Sequence, residues 1–197
     1  MTREHHRPFT PGAAFFEARD GGVGAEQLRE AADRTATLLV RGARDTDDPA
    51  LAQRVLHLAD NEGLETLAEL WRGAPPESLA GVLWRLYVLR TWVHAAPVQA
   101  AREFEAGRGR HDVAEVLAGV ADPPGPDEVR AMIDDALRGI CEGEFADVLL
   151  RAGAFARVVA AGRAAGADQP ADQVVRMLAL AEHLERAGHE ELAGRLA

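Results

Sequence analysis

One stretch limits what this chain can fold into more than any other: Leu79 to Val93, LAGVLWRLYVLRTWV, which is apolar nearly all the way round and holds two of the three tryptophans and the only tyrosine. A surface helix carries an apolar stripe and a polar back. Here only Arg85, Arg90 and Thr91 interrupt the apolar surface, so other elements must pack on several sides. The stretch is too short and too charged to span a bilayer. It predicts a buried central helix over 79–94.

The sequence around it repeats the helical period and nowhere alternates with period two. Leu28, Ala31, Ala32, Leu38 and Leu39 share one helix face, with Gly42 as a stop. Asp48 and Pro49 form an N-cap and first-turn pair ahead of Leu51, Val55, Leu58 and Ala59. A short helix carries Leu64, Leu67, Ala68 and Trp71 and is closed by Gly73 and Pro75-Pro76, and Ser78 lies where the central helix begins. Pro97 starts a helix with Val98, Ala101 and Phe104, and Val113, Val116, Leu117 and Val120 mark another. The loop signal at Ala121 to Pro126, ADPPGP, is the strongest in the chain and predicts a hinge at 121–126. Beyond it, Asp127 and Glu128 suit a helix N-terminus ahead of Val129, Met132, Ile133, Ala136, Leu137 and Ile140. Phe145, Val148, Leu149, Ala152 and Val159 repeat the pattern, Pro170 opens a further helix, and Leu192 and Leu196 close the chain. Residues 1–24, with Pro8, Pro11 and four glycines, read as an irregular arm whose Phe9, Phe15 and Phe16 dock on the body. The expected architecture is all-α: one globular domain over 25–197, of about eight or nine helices packed around the central one. Gly63-Leu-Glu-Thr-Leu-Ala faintly echoes Gly188-His-Glu-Glu-Leu-Ala, but two copies do not make a solenoid.

Composition narrows function mostly by exclusion. At 197 residues with 47% hydrophobic content the chain is long enough to bury a single core. A net charge of -10 argues against a nucleic-acid surface, which needs basic groups to displace counterions, and against anionic membranes. All 22 basic side chains are arginine. That bias, with abundant alanine and glycine, points to a GC-rich bacterial coding sequence, and it removes Schiff-base chemistry and any phosphate loop ending in Gly-Lys-Ser/Thr. A single cysteine, Cys141, cannot form an internal disulfide and fits a reducing cytoplasm. The first dozen residues lack an apolar signal-peptide core.

Candidate chemistry is sparse. His111-Asp112 is the dipeptide of helical metal phosphohydrolases, with His94 or His57 as the upstream ligand and Asp134 or Asp135 downstream. Seven histidines in an aspartate-rich chain readily produce such a pair by chance, and Asp112 serves equally as a helix-start residue. The adjacent His5 and His6 read as solvated side chains of a terminal arm. Di-iron chemistry is dropped, because no histidine has a glutamate three positions before it. His57 with Asp60, and His111 with Glu115, read as surface pairs. Ser78 and Cys141 are the remaining nucleophiles; Ser78 lacks a Gly-x-Ser-x-Gly elbow and suits a cap. Neither catalytic residues nor a cofactor nor a metal set is assigned. For ligand binding the choice falls on Trp84, Arg85, Arg90, Trp92 and His94, where two rings and guanidinium groups could grip an acidic or aromatic molecule. The opposing reading makes the tryptophans core residues and pairs the arginines with acidic neighbours.

The expected function is that of a non-catalytic, cytoplasmic bacterial helical protein that binds another protein and associates with itself. The homodimer is inferred from aliphatic residues in excess of one stripe: Leu149-Leu150 beside Phe155 and Val158. A small-ligand-binding domain built on Trp84 and Trp92 is the alternative, and a metal-dependent phosphohydrolase of the His-Asp type stands third.

Overall fold

The computed structural model describes residues 23–42, 63–109, 124–137, 145–166 and 170–197. Among them the chain forms seven helices: α1 (Val23–Arg41), α2 (Leu64–Trp71), α3 (Leu79–Ala95), α4 (Pro97–Arg108), α5 (Pro126–Leu137), α6 (Phe145–Ala165) and α7 (Ala171–Leu192). No strand occurs among the described residues. The expected helices at Leu51–Ala59 and Val113–Val120, His5, His6, His57, the His111-Asp112 pair and Cys141 lie outside them. Pro124 and Gly125 are all that is described of the expected hinge loop before Pro126, and α1 already begins at Val23, two residues inside the expected arm.

Helix ends fall where local chemistry puts them. Ser78 is the N-cap of α3: its Oγ accepts the Gly81 N–H at 3.1 Å and donates to the Pro75 carbonyl at 2.9 Å. Before α5, the Glu128 carboxylate reaches back to the Gly125 N–H at 2.9 Å, which is half of a capping box. Gly42, at φ 75°, ends α1 with its N–H on the Leu38 carbonyl. Gly194, at φ 65°, ends α7 in a Schellman turn, with Gly194 N–H on Glu191 and Arg195 N–H on Glu190. Both glycines occupy the left-handed region that a Cβ disfavours.

The expected central helix does pack against several neighbours, namely α1, α2, α4, α5 and α7. Its Leu79, Val82, Leu83, Leu86, Leu89 and Val93 are buried. It nevertheless keeps a solvent face at Val88, Thr91 and His94, and the more thoroughly enclosed helix is α6. α6 lies between α4 and α7, both antiparallel to it, and the contacts are close because glycines sit at the crossings. A Cβ on Gly107 of α4 would run into the Val158 carbonyl, and one on Gly162 of α6 into the Glu103 carbonyl. On the other side, a Cβ on Gly153 would lie 2.8 Å from Glu185 Cγ, and one on Gly188 2.7 Å from Leu150 Cγ. Backbones this close bring Phe104 and Phe155 into stacked contact at 5.5 Å.

That packing corrects the basis for the homodimer. Leu149, Phe155 and Val158 are fully buried within their own chain, and Leu150 is half-buried against Gly188. The surplus of aliphatic residues serves a helix covered on two sides. The echo between Gly63 and Gly188 likewise has no structural counterpart, because Gly63 precedes α2 as its N-cap whereas Gly188 lies inside α7 at a helix contact. Among the tryptophans the enclosed one is Trp71, at 0% exposure, with Nε1 donating to Thr35 Oγ1 at 3.1 Å; Trp84 is only half-buried.

Candidate functional site

An open groove of about 300 Å³ runs between α1 and α2. On α1 its wall is Ala25, Leu28, Arg29 and Ala32, the i, i+3, i+4, i+7 row of one helix face. Glu69 and Leu70 of α2, then Gly73 and Ala74 in the following turn, form the opposite side. The groove exists because the residues between the helices are small. Farther along α1, Ala36, Leu38 and Leu39 are buried and the Thr35–Trp71 hydrogen bond fixes the separation of the two helices. Among the described residues that line it, Ala25, Ala32, Gly73 and Ala74 are small, which keeps the space between the two helices open. Leu28 stands 61% exposed at this edge and Leu70 is half-buried. Surface ion pairs flank the groove, Glu30–Arg34 at 3.8 Å on α1 and, at its rim, Glu69–Arg72 at 3.2 Å. Apolar walls with one charge of each sign suit recognition more than bond-making chemistry.

The five residues singled out for ligand binding divide among different neighbours. Trp84 stacks on Tyr87 of its own helix at 5.7 Å. Arg85 turns back to donate to the Gly81 carbonyl at 2.8 Å; burial pushes its pKa down, against the opposing pull of Glu77. Arg90 and His94 are brought together on α5. Arg90 Nε donates to one oxygen of Asp134, and His94 Nε2 stands 3.6 Å from the other. Trp92 turns to α6, where the Arg163 guanidinium lies 4.6 Å from the ring centre. The eight residues from Trp84 to Trp92 amount to a rise of about 12 Å and a rotation of about 80°, so the two rings address different partners. Ser78 is occupied as a cap, and Asp134, considered as a metal ligand, holds Arg90. Among the described residues no three His, Cys, Asp or Glu side chains gather as a metal site would require.

The most enclosed polar cluster among the described residues is one that the sequence reading did not single out. Arg163 Nε donates to Glu103 Oε2 at 2.6 Å, with side-chain exposures of 8% and 9%. Gln99 Nε2 donates to the other Glu103 oxygen at 2.7 Å, and Arg163 also reaches the Gln173 carbonyl at 3.5 Å. The cluster ties α3, α4, α6 and the start of α7 together. A sequence signal existed: Glu103 lies in the apolar row Ala100, Phe104, Gly107, and Arg163 follows Val159 and Ala160 in another, so two opposite charges fall on faces that otherwise read as core. No helix among the described residues is long and apolar enough to cross a membrane. No family model, no curated protein and no solved structure matches the chain.

Proposed function

We propose that the protein is a non-catalytic helical interaction domain that receives an apolar segment of a partner protein in the groove between α1 and α2, and that it also associates with itself. The observation that supports this most is the 61% exposure of Leu28 beside a ready-made apolar groove. A groove between two helices is a suitable receptor for the apolar face of a third. For self-association α7 offers Val175 and Leu178, one turn apart on the same side of the helix and 64% and 36% exposed. The alternative readings gain nothing from the described residues: Arg90 and Trp92 are engaged with α5 and α6, and the His111-Asp112 pair lies outside them.

Leu28→Asp tests the groove without disturbing the buried core. In affinity purification from the source organism with quantitative mass spectrometry, a partner retained by the wild type is expected to be lost by this variant. Equal recovery by both proteins would refute the groove as the binding surface. Light scattering over a concentration series tests self-association, which a mass constant near 21.1 kDa would exclude.

A further inference from the structure

We propose that the C-terminal residues Gly194 to Ala197 act as a strap that holds α1 in place, so that α1 is a separately releasable part of the fold. Four observations converge on this segment. The Schellman turn at Gly194 reverses the chain at the end of α7, and its Arg195 side chain pairs with Glu190 at 2.6 Å. Leu196 then returns to the core at 7% exposure. The Leu79 N–H donates to a main-chain oxygen of Ala197 at 2.8 Å, so one of the amides that the first turn of α3 leaves without a helical acceptor is met. Arg41, at the last turn of α1, donates to the Leu196 carbonyl at 3.3 Å while its guanidinium forks onto the Glu191 carboxylate, Nη2 to Oε2 at 2.6 Å.

The strap therefore joins three helices that are distant in sequence. Among the described helices α1 has its principal contacts with α2 and α3, and Arg41 forms an ion pair with Glu191 of α7. Removing the Leu196 side chain takes away the wedge that holds the Leu196 carbonyl and the Ala197 main-chain oxygen in position for both donors. α1 and the first turn of α3 then open at lower cost than the α4–α6–α7 body, whose glycine crossings do not involve the strap. Because α1 is also one wall of the groove, release would open that wall; this consequence rests on the groove reading, whereas the opening itself does not.

Amide hydrogen exchange on the full chain tests the strap. Two variants are needed: Leu196→Ala removes the wedge, and Gly194→Ala disfavours the positive-φ turn while leaving every contact residue in place. Met177→Ala, at a residue of the same 7% exposure elsewhere on α7, is the control. Both strap variants are expected to speed exchange in the second half of α1 and at the start of α3 by about tenfold or more, with the middle of α4 and α6 unchanged and no α1-selective effect from the control. The strap is overturned if α1 keeps wild-type protection in both variants, or if all helices accelerate by a common factor.

Discussion

Replacing Arg163 with methionine isolates the most enclosed charge pair among the described residues. At 8% and 9% side-chain exposure, Arg163 and Glu103 have little water available to replace the lost partner, and the variant leaves the Glu103 carboxylate with the single Gln99 hydrogen bond at 2.7 Å. Removing one member of a buried pair costs about 3–5 kcal/mol, because the surviving charge is stranded where the dielectric is low. The stacking of the guanidinium on Trp92 adds about 0.5–1 kcal/mol to the loss. Methionine retains the unbranched stem, which limits the cavity contribution. The expected loss is therefore about 4 kcal/mol, measured by urea denaturation with linear extrapolation. The double replacement Glu103→Leu with Arg163→Met removes both charges, and it is expected to recover all but about 1 kcal/mol of that loss, since paired burial and apolar packing are close in free energy. Two results would refute the reasoning: a loss under about 1 kcal/mol for Arg163→Met, or a double variant no more stable than that single one.

The tryptophans offer a second comparison. Trp71→Ala empties a fully enclosed site and removes the hydrogen bond that Thr35 Oγ1 accepts, the hydroxyl keeping its own bond to the Ala32 carbonyl, so a loss of about 3–5 kcal/mol is expected in the same denaturation assay, whereas the half-buried Trp84→Ala is expected to cost less than half as much. Equal losses would contradict the burial described above. A third comparison uses glycine: Gly162→Ala forces α4 and α6 apart at the Glu103 carbonyl and is expected to lower stability by about 1–3 kcal/mol, while Gly73→Ala, with open space around it, is expected to stay within about 0.5 kcal/mol of wild type in thermal melts.

Capping and periodicity are local, which is why helix positions were legible in the sequence. Gly42, Ser78, Pro97 and the acidic start of α5 act within one turn of themselves, and they mark helix ends without reference to the rest of the chain. The all-round apolar character of Leu79 to Val93 similarly announced that α3 would have neighbours on several sides. Which residues those neighbours cover is a different kind of question. Leu28 and Leu39 read as members of one apolar stripe, yet α2 crosses α1 so that Leu39 is 2% and Leu28 61% exposed. Trp84 and Trp71 are chemically the same, and only the packing of α1 against α2 decides that Trp71 is the enclosed one.

The partition of the ligand-binding candidates follows the same rule. Trp92 and Arg90 lie two positions apart, so a helix turns them about 160° from one another, and they answer to different helices. Glu103 and Arg163 are separated by 60 residues, and nothing in either local pattern selects the other as its partner. Within the described residues the sequence alone determined that the chain is built of helices and marked several of their ends, at Gly42, Ser78 and Pro97, because those outcomes depend on hydrogen bonds and side-chain entropy within a few residues. Tertiary structure alone decided which glycines let backbones meet, which charges are buried as a pair and which apolar residues remain in solvent. Those outcomes depend on contacts between segments whose relative placement no short-range interaction specifies.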